Sequence, residues 1–293
     1  EIGALAGSSA EWIVNVSGIE ERRYAGEEES VAAMALRAAK DCLERAGTEA
    51  ARLGMVMVAS GTSERRFPGP AATVASQLGL TGTPAIDLPM ASAGSLFGLA
   101  LAARLAEIYR NILVIGAEKM SPVVLRPPMD RSTAVLFGDG AGACLVSSEP
   151  SPGAARVVDA AIFTDGAFAE DLRLEFEQPL VMNGRSVILQ ASRKIPRAIA
   201  DLLAGHGRAA GDVDVFLMHQ ANQNLIARVA EALGVGAEKF FSNIRGYGNT
   251  SSASMLIAAK EWWETCGFRA GAPVVFAAFG AGFHWGALLA EGC

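Results

Sequence analysis

Phe137-Gly138-Asp139-Gly140-Ala141-Gly142-Ala143 returns in altered form as Phe279-Gly280-Ala281-Gly282-Phe283-His284-Trp285-Gly286-Ala287. One such match suggests a duplication, and the pattern around the two copies supports it. Ahead of the first, residues 31–46 carry apolar side chains at helical spacing (Val31, Met34, Ala35, Ala38, Cys42) and stop at Gly47, which predicts an amphipathic helix. Residues 55–59 read as a buried strand, 71–78 as a helix ended by Gly79, and 85–88 as a short strand. From Gly94 to Ile108 the chain is small or apolar almost throughout, the pattern of a helix buried nearly all round, and 111–116 reads as another strand. Residues 134–146 predict two short strands about a glycine turn. The turn residues Ser148-Glu149-Pro150-Ser151-Pro152-Gly153 then break the rhythm and divide the chain into halves, 1–150 and 151–293. The second half repeats the outline with helix 191–204, strand 213–218, helices 222–233 and 252–265, and strand 274–278. This alternation predicts an α/β layered fold with mostly parallel central sheets.

The 293 residues are 51% hydrophobic and 19% charged, enough apolar content for one large core or two fused ones. Apolar runs such as 274–278 are far shorter than the ~20 residues that span a bilayer, so no membrane partner is expected. The opening Glu1-Ile2-Gly3 has no basic segment ahead of an apolar one, which argues against a secretory signal and makes a cytoplasmic setting the expectation. Net charge is -6 with the basic residues scattered, the opposite of a nucleic-acid footprint, so small molecules are the expected partners. The four cysteines, Cys42, Cys144, Cys266 and Cys293, show no metal-type spacing and sit mostly in apolar runs; all four read as structural. The three histidines, His206, His219 and His284, are not at helical ligand spacing, and a metal site is not expected.

Three segments carry candidate chemistry. Met90-Ala91-Ser92-Ala93-Gly94 sets a hydroxyl between a strand and a buried helix, where unpaired backbone donors and the helix dipole favour negative charge. A serine there would equally serve as a plain helix cap. Leu217-Met218-His219-Gln220-Ala221-Asn222 sets a histidine at the end of a buried strand, where α/β enzymes gather catalytic groups, although a core histidine fits the same pattern. Tyr247-Gly248-Asn249-Thr250-Ser251-Ser252-Ala253-Ser254 packs hydroxyls and one amide ahead of a helix. It reads either as a cap cluster or as a loop presenting the Asn249 amide to an oxyanion.

The order of these segments resembles the β-ketoacyl-acyl-carrier-protein synthase III family of the thiolase fold. "HQAN" stands at 219–222, "GNTSSAS" at 248–254 and "FGDGAGA" at 137–143, and 279–286 is similar to the family's "FGGGxTWG". Glu11-Trp12-Ile13, Ser17-Gly18-Ile19 and Arg22-Arg23 resemble "EWIxxRTGIxxRR". The resemblance runs from Glu11 to the end. It implies a homodimer of five αβαβα layers, and an acyltransferase that loads an acyl group from coenzyme A onto a cysteine and condenses it with malonyl on acyl carrier protein. It implies no metal or redox cofactor, the coenzyme A thioester being substrate. Carried over by position, Ser92 stands at the cysteine, and His219 and Asn249 would hold the malonyl thioester oxygen as carbon dioxide leaves. The Ser92 amide and the turn at Gly280 and Ala281 would form a second oxyanion hole, Phe279 would cover the malonyl carboxylate, and Trp12, Arg131 and Asn222 would bind coenzyme A.

Departures cluster at the same site. Besides Ser92, Val16 replaces an arginine near the coenzyme A phosphates, Asn224 a basic residue facing carrier protein, and His284 a small hydroxyl residue, while Pro89 and Met90 lead into the nucleophile. Measured against the family, the sequence as given starts about where the first helix is expected, and 166–178 is shorter than expected. A thiol of pKa ~8.5 is readily lowered to a thiolate at a helix N-terminus, whereas a serine alkoxide lies out of reach of a dipole worth ~1 kcal/mol. Ser92 therefore needs a general base, for which His219 is the candidate, and its ester would be a weaker acyl donor than a thioester. Three readings follow: a natural serine-type acyltransferase, as in starter-unit selection for fatty acid or polyketide synthesis; a cysteine enzyme mutated to serine; or a catalytically silent acyl-binding subunit.

Overall fold

Local signals start and stop the elements much as their residues dictate. In the computed structural model, which describes residues 2–151 and 153–293, Ser30 Oγ accepts the Ala33 N–H at 3.1 Å and starts the helix at Val31. Asn222 Oδ1 accepts the Asn224 and Leu225 N–H groups, and Gly234, in the left-handed region, ends the helix that Asn222 starts. Glu1, and Pro152 in the turn between the halves, lie outside the described residues.

The first half runs α1 (Ile2–Leu5), α2 (Ala10–Ser17), α3 (Val31–Arg45), β1 (Met55–Ala59), α4 (Pro70–Gln77), β2 (Ala85–Leu88), α5 (Gly94–Tyr109), β3 (Asn111–Glu118), α6 (Ser121–Val124), α7 (Arg131–Ala134) and β4 (Gly140–Ser147). The second runs β5 (Ala155–Thr164), β6 (Leu172–Arg173), β7 (Val181–Met182), α8 (Gly184–Gly205), β8 (Val215–Met218), α9 (Gln223–Leu233), α10 (Ile244–Tyr247), α11 (Ser254–Thr265), β9 (Pro273–Gly280) and β10 (His284–Gly292). One four-stranded sheet has the order β2-β1-β3-β4 and the other β5-β10-β9-β8. In the first, β1 pairs parallel with β3 and β3 antiparallel with β4; in the second, β8 pairs parallel with β9 and β9 antiparallel with β10. The pairing repeats, and each copy of the glycine motif leads into the closing antiparallel strand.

Strand alternation divides the core into layers. Val56 and Val58 of β1 face Val31, Ala35 and Ala39 of α3, while Met55 and Met57 face the other way, onto Leu96 and Leu99 of α5 and Met255 of α11. Across that central layer lie Ala278 of β9 and Leu288 of β10. Phe216 and Met218 then face outward onto Ile195 and Ile199 of α8 and Val229 of α9. The result is five layers, αβαβα, with α5 and α11 between the sheets. Because the central cluster mixes residues of both halves, neither half has a closed core without the other.

Several expectations fail for local reasons. Residues 140–147 form one continuous strand with no glycine turn. Gly142 is there because a Cβ would lie 2.8 Å from Leu256 Cβ, so the glycine lets α11 press onto β4. Helix α5 is not buried all round, since Ile108 is 73% exposed. Helix α8 begins at Gly184, earlier than the expected 191, because Asn183 Oδ1 accepts the Ser186 N–H and supplies a cap. Cys42 and Cys144 are largely buried, which pushes their thiols up to about 11 and about 12. Cys266, which follows the last turn of α11, and Cys293 are exposed, contrary to the expectation of buried thiols.

Candidate active site

Ser92 sits in the link between β2 and α5 with φ of 65°, a left-handed conformation that a non-glycine residue rarely holds without a functional reason. It does not cap α5: Ala93 precedes that helix, which has no side-chain cap. Instead, Ser92 Oγ lies 3.4 Å from Ser251 Oγ, and the Ser92 N–H donates to the same oxygen at 2.9 Å. The backbone of Gly280 passes directly over this turn. A Cβ at Gly280 would stand 2.7 Å from the Ala93 nitrogen and 3.0 Å from Ser92 Cβ, and closer still to the Ala91 carbonyl oxygen.

The hydroxyls of the 248–254 segment do not act as caps either, because none caps α11. Ser251 Oγ donates to Glu118 Oε1 at 2.8 Å, Ser252 Oγ donates to the Met90 carbonyl at 2.8 Å, and Ser254 Oγ meets His219 Nδ1 at 2.6 Å. Asn249 is fixed on three sides. Its N–H donates to the Leu136 carbonyl, its carbonyl accepts the Gly138 N–H, and its Oδ1 accepts the Ser251 N–H at 2.9 Å. With Oδ1 so engaged, the two N–H donors of the amide face away from that bond. Ser251 is thus the meeting point, bonded to Ser92, Glu118 and Asn249.

Burial lowers the His219 pKa to about 4, with the Ser251 carbonyl working weakly in the opposite direction. Burial keeps the ring neutral, and Ser254 Oγ, which accepts the Gln220 N–H at 3.0 Å, shares its remaining hydrogen bond with Nδ1. A group whose folded pKa lies below its unfolded value of ~6.5 adds stability above that pH and loses it as pH falls toward 4. His219→Asn is therefore expected to flatten the fall of urea-unfolding stability between about pH 6.5 and pH 5, measured as the difference from wild type.

Farther out, the Arg131 guanidinium stacks on the Trp12 ring at 4.0 Å, and both lie on elements near the α2 end. Asn222, besides capping α9, donates from Nδ2 to the Val16 carbonyl at 2.8 Å, and Asn224 donates to the Asn15 and Val16 carbonyls. Asn222, expected at coenzyme A, and Asn224, which stands in place of a basic residue, are thus engaged in tying α9 to α2. Phe279 is buried at the end of β9 against Phe283, and Ala281 lies in the turn that follows. His284 bonds through Nδ1 to Thr164 Oγ1 at 2.8 Å and presents its ring to the edge of Phe97, 5.4 Å between centroids. Among the described residues, no group of three His, Cys, Asp or Glu side chains converges on a metal position, and no helix is long and apolar enough to cross a membrane.

Residues 86–166 match the 3-oxoacyl-[acyl-carrier-protein] synthase III family model and residues 203–291 the model of its C-terminal part. The β-ketoacyl-[acyl-carrier-protein] synthase III of Gloeobacter violaceus is 37% identical over 99% of this chain and 92% of its own. The chain belongs to the 3-oxoacyl-[acyl-carrier-protein] synthase III family. Among solved structures, the synthase III of Aquifex aeolicus superposes with a TM-score of 0.93 at 35% identity, covering 99% of this chain and 93% of that one. The priming β-ketosynthase of the R1128 polyketide pathway superposes with a TM-score of 0.90 at 30% identity, covering 99% and 90%. The thiolase-type fold and membership of a family of acyl-transferring condensing enzymes are therefore settled for this synthase III relative.

Sequence reasoning missed Glu118, Ser251 and Ser254. Glu118 ends an apolar strand beside Lys119, where a charge reads as surface, yet it is fully buried. Its position at the C-terminal end of a parallel strand was the available signal.

Proposed function

We propose that this protein takes an acyl group from coenzyme A onto Ser92 as an oxygen ester and passes it to malonyl on acyl carrier protein or to another acceptor, a starter-unit step in fatty acid or polyketide synthesis. The observation that carries the reading is the left-handed Ser92, turned away from its helix and set under Gly280. Attack of Ser92 Oγ on the thioester carbonyl places negative charge on the carbonyl oxygen, next to the amides of the Gly280–Ala281 turn and the N-terminus of α5. The Ser92 N–H joins them only when Ser251 Oγ releases it. His219, as a neutral ring, and the free N–H donors of Asn249 suit a developing enolate oxygen better than they suit proton abstraction. Trp12 and Arg131 offer a flat, cationic stack to an adenine.

A second copy is the expected partner: β2 is an edge strand with Ile86 40% exposed, and Phe67 in the loop before α4 is 86% exposed. Intact-mass measurement after mixing with a short acyl-CoA tests the reading. One acyl adduct per chain is expected in wild type and none in Ser92→Ala. Absence of an adduct with every donor would instead favour a silent acyl-binding subunit.

A further inference from the structure

Glu118 closes β3 with its carboxylate fully buried, and every group packed against it is neutral. Gly61 N–H donates to both oxygens at 3.1 Å, Thr62 Oγ1 to Oε2 at 2.6 Å and Ser251 Oγ to Oε1 at 2.8 Å, while Ser60 Oγ lies 3.4 Å from Oε2 and Ser252 Oγ, whose proton goes to the Met90 carbonyl, lies 3.1 Å from Oε1. Lys119 turns its ammonium away, onto the carbonyls of Gly26, Glu27 and Glu29. A structural carboxylate in such a place would be expected to have a cation. Here it has a chain of hydroxyls leading to Ser92. Ser251 Oγ gives its one proton to Glu118 and accepts from the Ser92 N–H, which leaves one lone pair facing the Ser92 hydroxyl 3.4 Å away. That gap needs to close by roughly half an ångström to reach ordinary O–H···O length, the kind of tightening that accompanies substrate binding.

We infer that Glu118 accepts the proton of Ser92 through the Ser251 hydroxyl. In the acylating step the Ser92 Oγ–carbonyl bond forms and the thioester C–S bond breaks. The Ser92 proton passes to Ser251, the Ser251 proton passes to Glu118, and coenzyme A leaves as a thiolate that takes a proton from water. Transfer of the acyl group returns the proton from Glu118 by the same route. Burial holds the Glu118 carboxyl above the ordinary carboxylate range, which makes it a better base near neutral pH than an exposed glutamate. The other titratable group at the site, His219, is neutral and bonded to Ser254. Glu118 acts through Ser251 and is a positioning residue, because it does not touch the acyl group.

The inference rests on Ser92 being the acyl acceptor, and the test separates the two. Rates of Ser92 modification by a short acyl-CoA and by an alkyl fluorophosphonate, which needs no coenzyme A recognition, are measured against pH in wild type, Glu118→Gln, Ser251→Ala and His219→Asn. Expected with the fluorophosphonate is an acidic limb in wild type, a roughly 100-fold fall with loss of that limb in Glu118→Gln, and a similar fall in Ser251→Ala. His219→Asn keeps the limb. Ser251→Ala leaves the carboxylate its other donors, so it carries the test should Glu118→Gln lose its fold by circular dichroism. A wild-type rate in either relay variant, a rate fall with the limb unmoved, or a wild type inert to the fluorophosphonate overturns the relay. Fluorophosphonate labelling without acyl transfer from coenzyme A supports the relay while removing the proposed function.

Discussion

Gly280→Ala is expected to slow acylation of Ser92 about 100-fold while leaving a folded protein destabilised by about 1–3 kcal/mol. The added Cβ would lie 2.7 Å from the Ala93 nitrogen, inside the van der Waals distance, with the Ala91 carbonyl nearer still. These are backbone atoms, so relief requires β9 or the Ser92 turn to move, and either movement shifts the nucleophile relative to the amides of 280–281. Stopped-flow acylation with thermal unfolding in parallel checks the result. A near-wild-type rate would show that the close approach at Gly280 does not position Ser92.

Ser92→Cys is expected to raise condensation with malonyl carrier protein by at least about tenfold. A thiol at the α5 N-terminus ionises without a strong base, and its thioester is a better acyl donor than the oxygen ester. The same change should weaken dependence on Glu118, so that Glu118→Gln costs far less in the Ser92→Cys background than alone. This non-additivity is read as an interaction between sites that act as one unit. Equal losses in both backgrounds would place Glu118 in a purely structural role.

The layers were legible in the sequence because helical spacing in α3 and unbroken apolar runs in β1 and β3 depend on local chain periodicity alone. The nucleophile turn and the His219 and Asn249 segments were legible through their order along the chain. What could not be read is set by contacts between residues far apart in sequence. Ser251 looked like one hydroxyl among several in a helix-starting cluster, and its role follows from its meeting Ser92, 159 positions away, and Glu118, 133 positions away. His219 looked like a base, and only its burial identifies it as a neutral ring. The strand at 140–147 reads from sequence as two short strands about a glycine turn, because Gly142 serves the approach of α11, a fact of packing that local sequence does not carry.

Peptide mapping of wild-type protein quenched during turnover with acyl-CoA locates the covalent intermediate. An acyl group on the peptide containing Ser92, in an ester that resists neutral hydroxylamine, is the expected finding. An acyl group on Cys42, Cys144 or any other side chain, with Ser92 unmodified, would contradict it.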